Sequence, residues 1–372
     1  MKQLWQKVSV FFRQETVLCV AGLCGVVSAF FVPPSLHYLE YLDFRVLSLL
    51  FCLMAVVSGL GQAGLFERLS RRLTAGLKGS RVLVLALVML CFFSSMIITN
   101  DVALLTFVPF AVLTLTGVGQ QKQILVAVVL QTIAANLGSM LTPVGNPQNL
   151  YLYSYYEMSM GEFFSVTLPV TLLSLVLLAG GCLLLPNEPV TLPPSEEVRL
   201  DQKRLWRFGA LLICCLLTVF RILPWPVMLV VVAAVMLLFD RPLFGRVDYS
   251  LLLTFVFFFI FVGNMGEIPA VRELISPLVQ GRELWAGLLA SQVISNVPAA
   301  VLLSTFTEGG RGLLLGVNIG GLGTLIASLA SLISYRIYGH TVGARPGRYL
   351  AVFTLMNLAA LVPLCLLGWL LA

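Results

Sequence analysis

Apolar runs long enough to cross a bilayer recur along this chain, and they decide most of what it can become. They include residues 16–32, 44–64, 163–185, 205–222, 227–239, 251–262 and 350–371. A helix needs roughly 20 residues to span the hydrocarbon core. Most of these runs approach that length; the runs around Val227 and Leu251 are short. Continuous apolar stretches, rather than two-residue alternation, point to helices and argue against a transmembrane barrel. The composition agrees, since 59% of the 372 residues are hydrophobic and only 11% are charged, against about 25% charged in an ordinary soluble domain. The sequence predicts an all-α polytopic membrane protein.

Charge sets the orientation. A basic stretch, MKQLWQKVSVFFRQE, precedes the first run in the manner of a signal peptide, but the run is long and the next one pairs with it, so it is read as a retained span. With a cytoplasmic N-terminus, 18 of the 23 Lys and Arg residues fall inside, and Arg45, Arg221, Arg272, Arg282 and Arg311 fall outside. That asymmetry follows the positive-inside rule. It gives nine crossings and an external C-terminus, in what is expected to be a bacterial inner (plasma) membrane. The net charge of +6 is thereby read as an orientation signal and not as a nucleic-acid surface. The eight cysteines lie inside apolar spans without ligand spacing, and His37 and His340 are far apart. Packing residues are expected there, with no disulfides and no histidine metal centre. No HExxH, GxSxG or P-loop motif occurs, so the chain is not read as an enzyme or an ATP-driven pump, and no cofactor is expected beyond a coupling ion.

The Pro-rich polar linker at 186–205 divides the chain near its middle, and the two halves repeat each other. Laying NLGSMLTPVGNPQNL over NIGGLGTLIASLASL pairs Asn136 with Asn318, Gly138 with Gly320 and Thr142 with Thr324. Gly145 falls on Ala327 and Asn146 on Ser328. Upstream of each stretch, a polar triplet interrupts an apolar run: Thr99-Asn100-Asp101 in the first half and Ser295-Asn296-Val297 in the second. The expected architecture is two inverted-topology repeats, 1–185 and 223–372, joined by a helix at 206–222. Each repeat holds a re-entrant helical hairpin (about 82–116 and 284–308) and a broken transmembrane helix (about 123–156 and 311–338). Counting the first hairpin as two full crossings leaves the charge balance unchanged.

Backbone without helical hydrogen bonds survives at membrane depth only inside protein or beside a wet cavity. Four interruptions in two repeats therefore predict a shared polar site. Asn146 is suited to cap the helix that Pro147 begins, and Asn296 with Pro298 to act similarly. Helix N-termini favour anions and preceding C-termini favour cations, so one centre can hold an anionic substrate beside a coupling cation. Asp101 admits two readings: a helix cap stabilised by the dipole, or a member of a Na⁺ or H⁺ site. The second is preferred. The glycines beside matched Asn and Thr can also serve close helix packing.

At TNDVALLTF, ANLGSMLTPVGNPQNLYLYS, SNVPAAVLLS and GVNIGGLGTLIASLASLIS the sequence resembles the ion-transporter superfamily. This group includes arsenite permeases, sodium/proton antiporters, citrate transporters and sodium-coupled dicarboxylate transporters. The resemblance implies substrate contacts at Thr99, Asn100, Asn146, Ser295, Asn296, Thr324 and Ser328. It implies a coupling-cation site among Asp101, Asn136, Gly138, Thr142, Gly145, Asn318 and Gly320, with Na⁺ placed at Asp101, Asn100, Thr142 and Gly145. Asp101 and Val297 stand where the dicarboxylate carriers have Thr, which is closer to the arsenite-permease and antiporter branch. The function implied is cation-coupled (Na⁺ or H⁺) secondary transport of a small anion such as a carboxylate or oxyanion, by a homodimer with an elevator-like motion. Na⁺/H⁺ antiport without organic substrate and arsenite or metalloid efflux remain the alternatives.

Overall fold

The computed structural model describes residues 15–191 and 198–372. The basic stretch carrying Lys2, Lys7 and Arg13 lies outside the described residues, as does the centre of the Pro-rich linker. Among the described residues the regular elements are helices: α1 (Thr16–Ser28), α2 (Phe44–Gln62), α3 (Ser80–Ile98), α4 (Asn100–Gly117), α5 (Gln121–Ser139), α6 (Pro147–Tyr155), α7 (Met160–Leu183) and α8 (Gln202–Val219). They continue as α9 (Trp225–Phe239), α10 (Tyr249–Glu267), α11 (Glu283–Ile294), α12 (Asn296–Ser304), α13 (Gly310–Ile319), α14 (Leu329–Gly339) and α15 (Pro346–Leu371). Short helices at Leu65–Thr74 and Pro269–Val279 join α2 to α3 and α10 to α11. Seven helices, α2, α3, α4, α5, α7, α10 and α15, are long and apolar enough to cross a membrane, and α1, α9 and α11 are shorter apolar helices. The chain is a polytopic membrane protein.

Helix starts follow local chemistry. Asp43 Oδ1 accepts the Val46 N–H at the head of α2, and Asp248 Oδ1 accepts the Leu251 N–H at the head of α10, each at 2.9 Å. Asp201 caps α8 and Ser159 caps α7 in the same way. These side chains satisfy N–H groups that a helix leaves unpaired in its first turn. Asp240, buried at the end of α9, takes both Arg204 and Arg207 of α8, the latter at 2.7 Å. A buried carboxylate is tolerated when it is paired in this way.

The centre belongs to α5 and α13. Every residue of α5 from Ala127 to Ser139 is buried, as is α13 from Gly312 to Ile319. A helix apolar all round belongs inside the protein. Both helices stop there, at residues 140–146 and 320–328, before α6 and α14 resume. The first interruption is thus enclosed by protein, while the second is buried at both ends and exposed at Thr324 and Ile326. Lipid-length helices such as α7 and α15 carry the exposed apolar faces instead, with Leu172, Val176, Leu355 and Val362 outermost.

The two helical pairs differ in reach. The legs α3 and α4 have 19 and 18 residues, while α11 and α12 have 12 and 9. At 1.5 Å per residue these are roughly 28, 27, 18 and 14 Å, so the first pair has the length of two full spans. Their tips share one conformation: Thr99 has φ 69° and ψ 151°, and Ser295 has φ 73° and ψ 154°. A side chain with positive φ is strained, a cost of about 1–3 kcal/mol that the surroundings must offset. All eight cysteines are free, with Cys52, Cys91, Cys182 and Cys215 buried.

Candidate functional site

Each tip hangs from the break of its own half. The Asn100 N–H donates to Gly145 O at 3.1 Å and the Asn296 N–H to Ala327 O at 3.0 Å. Thr142 Oγ1 donates back to Met96 O at 2.5 Å, and Thr324 Oγ1 to Gln292 O at 3.1 Å. The residues paired by the sequence repeat therefore make the same bonds.

Across the halves, the contacts are exchanged. Asn136 Oδ1 accepts from Asn100 Nδ2 at 3.1 Å and from Ser328 Oγ at 3.0 Å, while its Nδ2 donates to Ser331 Oγ at 3.5 Å. Reciprocally, Asn318 Oδ1 accepts from Asn146 Nδ2 at 3.1 Å, and its Nδ2 donates to Asn149 Oδ1 at 2.6 Å. Each central Asn thus reads the first turn of the other half's resumed helix. Buried amides bonded at both ends fix relative position well, because leaving either end unpaired costs about 1–3 kcal/mol.

The broken backbone is satisfied by two amides that the sequence reading did not single out. Asn149 Nδ2 faces Met140 O and Thr142 O at 3.1 Å each. In the second half Gln292 reaches in from α11: its Nε2 donates to Gly320 O at 2.8 Å and Leu322 O at 2.9 Å, and its Oε1 accepts the Thr324 N–H at 2.9 Å. Gly323, with φ +110°, makes room, since a Cβ there would lie 2.3 Å from Gln292 Oε1. Gln292→Leu strands two carbonyls and one N–H. It should destabilise the protein by about 3 kcal/mol, read as a fall of several degrees in the apparent Tm of the purified protein. An unchanged Tm would mean water replaces those bonds.

A cavity of about 510 Å³ opens beside the first tip, and Thr99, Asp101, Asn146 and Pro147 lie on its wall. Leu50, Leu53 and Met54 of α2 give the apolar side, and Gln62, Arg246 and Asp248 add polar groups. Asp101 stands in the first turn of α4; its Oδ1 is buried without a hydrogen-bond partner. The N–H groups just before it are already used, Asn100 by Gly145 O and Asp101 by Asn100 Oδ1 at 3.0 Å. The tip therefore offers the cavity side chains more than free amides.

The other named residues are distributed around this point. Asn100, Asn136, Asn318 and Ser328 form the buried cluster behind the cavity wall. Thr142 and Gly145 are in the first break, with Thr142 O facing Asn149 and Gly145 O facing Asn100. Gly138 and Gly320 are crossing points, where a Cβ would meet Phe92 O at 2.1 Å and Leu288 Cα at 2.8 Å. Ser295, Asn296 and Thr324 do not line this cavity: Ser295 Oγ is buried and unpartnered, and Thr324 is exposed beside Gln292. Asn296 is the first residue of α12 and does not cap it; the strained residue before it is Ser295. Arg246 and Asp248 were visible in sequence only as loop charge.

The CitMHS family of citrate transporters matches residues 4–309. The chain belongs to the citrate transporter family. This member is 32% identical to the transporter MJ0456 of Methanocaldococcus jannaschii over 333 residues, covering 88% of this chain and 90% of that protein. It is also 32% identical to the inner membrane protein YbiR of Escherichia coli over 326 residues, covering 85% and 86%. A shorter stretch of 133 residues, 35% of this chain and 27% of the relative, is 34% identical to the silicon efflux transporter LSI3 of rice, Oryza sativa subsp. japonica. Among solved structures, the YdaH transporter of Alcanivorax borkumensis superposes with a TM-score of 0.58 at 14% identity, covering 90% of this chain and 86% of that one. That likeness concerns the fold alone. The family is one of transporters and not of enzymes, so the citrate-family member described here moves a small substrate across a membrane.

Proposed function

We propose that this transporter couples movement of a small anion, a carboxylate or oxyanion, to Na⁺ or H⁺, with the anion in the 510 Å³ cavity and the cation at Asp101. The observation that carries the reading is the unpartnered, buried Oδ1 of Asp101 at the wall of a cavity that also holds Arg246. An ionisable group at membrane depth without a partner is costly unless a cation or proton joins it. The carbonyl oxygen of Gly145, which accepts the Asn100 N–H and keeps a second lone pair, supplies a further ligand of the type Na⁺ takes, whereas Thr142 O already accepts from the Gly145 N–H and Asn149 Nδ2. Arg246 supplies the positive charge for the anion, helped by the start of α6 at Pro147.

The matching bonds of the two halves support an inverted-repeat architecture with a pseudo-twofold relation. Counting from the capping residues Asp43 and Asp248, Leu50, Leu53 and Met54 correspond to Phe255, Phe258 and Phe259, all three of which are buried. Larger aromatic side chains thus stand at the positions that match the apolar wall of the cavity. The side of Arg246 is the cytoplasmic one by the Lys and Arg distribution. The likeness to YbiR, an inner membrane protein, supports placement in the inner membrane.

Proteoliposome uptake of citrate and of a panel of carboxylates and oxyanions, under separate Na⁺ and proton gradients, tests the proposal. Uptake of one anion at least about tenfold above the gradient-free rate is expected. Proton movement on adding Na⁺, with no anion required, would replace this reading by Na⁺/H⁺ antiport.

A further inference from the structure

A second cavity, of about 460 Å³, lies where the N-termini of α5 and α15 meet the C-terminal end of α14. Its polar rim carries Lys122, Arg345 and Arg348, and its floor carries Tyr338, Leu125 and Val352. No Asp or Glu lines it. Among the described residues, none of the three cations takes part in an ion pair. Glu188, which bonds Gln120 at 2.8 Å just before α5, is not part of the wall.

The position along the helices says what depth this is. Helix α15 has 26 residues, so it is about 39 Å long and outreaches a hydrocarbon core of about 30 Å. Arg345 and Arg348 flank its first turn, and Lys122 lies in the first turn of α5. Three unpaired cations therefore stand at headgroup level, reinforced by the partial positive charge of two helix N-termini. Beyond them α15 presents an exposed apolar face through Leu350, Leu355 and Leu358. Concentrated positive charge at the surface continuing into an apolar, lipid-facing stripe matches one kind of molecule.

We propose that this pocket binds the phosphate of an anionic phospholipid, held by Lys122, Arg345 and Arg348 with acyl chains along α15. Each Lys or Arg near an anionic lipid surface raises affinity by roughly fivefold. Removing all three should weaken binding on the order of 100-fold. The site is separate from the transport cavity and depends on no assumption about the substrate.

The test compares the wild-type protein with Lys122→Gln/Arg345→Gln/Arg348→Gln and with a control of equal charge change, Arg68→Gln/Arg72→Gln/Arg272→Gln. Native mass spectrometry of detergent-purified protein titrated with phosphatidylglycerol, phosphatidylcholine or millimolar inorganic phosphate reads the bound species. Wild type and control should retain phosphatidylglycerol in preference to phosphatidylcholine, and the pocket variant should lose that preference. All three cations are exposed, and a size-exclusion profile identical to wild type verifies that the variant is folded. Equal phosphatidylglycerol retention by a folded pocket variant would overturn the proposal, as would displacement of the lipid by phosphate. If the pocket variant does not fold, retention is measured on each single substitution, and no loss in any of them would overturn it equally.

Discussion

Asp101→Asn is expected to abolish ion-driven uptake, lowering it by at least about 100-fold, the equivalent of about 2.7 kcal/mol, while leaving the protein folded. The two halves of that statement come from the same atom. Asp101 Oδ1 is buried and accepts no hydrogen bond, so the native fold gains nothing from it that an amide would forfeit. Asn is nearly the same size, and as a first-turn residue it forgoes only the dipole contribution of about 0.3–1 kcal/mol. What Asn cannot do is carry a negative charge to hold Na⁺, or take up and release a proton. The thermal midpoint should therefore stay level or rise as transport disappears. Unchanged uptake would reduce Asp101 to a helix-start residue; a collapse of the fold would show that the carboxylate has a structural partner.

Gly138→Ala should have the opposite signature, removing the folded protein itself. A Cβ at Gly138 would lie 2.1 Å from Phe92 O, 2.7 Å from Ser95 Oγ and 2.9 Å from Phe92 C. These are mainly backbone atoms of α3, the leg that ends at the Thr99 tip, and they cannot rotate away. Helices α3 and α5 would have to separate inside a packed core, a strain of about 3 kcal/mol, and the shift would pull on the Asn100 to Asn136 bond. Membrane-inserted yield and the fraction running as a single species on size exclusion should both fall sharply. Gly180→Ala, in the interior of α7, is the matched comparison. Nothing lies within 4 Å of its Cβ position, and the intrinsic helix preference of Ala favours it by up to about 1 kcal/mol.

Membrane class and the start of α6 were legible because they rest on local chemistry. Long apolar runs write spans directly, and Asn146 before Pro147 is a helix start that the structure realises, with Asn146 Oδ1 accepting the Asn149 N–H at 2.9 Å. The pairing of Asn136 with Asn318 was likewise readable, since both central residues sit in the same motif. Which partner each would meet was not. That the bonds cross from one half to the other is a property of the assembled pair, with nothing in either motif to announce it. Which residue of each triplet turns the chain was not legible either: Thr99 and Ser295 take the positive φ, while Asn100 and Asn296 begin the next helices and donate their N–H groups to Gly145 O and Ala327 O. Nothing in the sequence marks Gln292, whose amide spans the second break only in the folded protein. Arg246 reaches the cavity because the segment just before α10 packs against α2.

A structure of the transporter in lipid nanodiscs with citrate, or with whichever anion the flux panel selects, is the most direct measurement. The anion is expected between Arg246 and Asn146, within reach of the Thr99 to Asp101 tip, with the crossed Asn136 and Asn318 bonds intact behind it. An anion bound elsewhere, with this cavity empty, would contradict it.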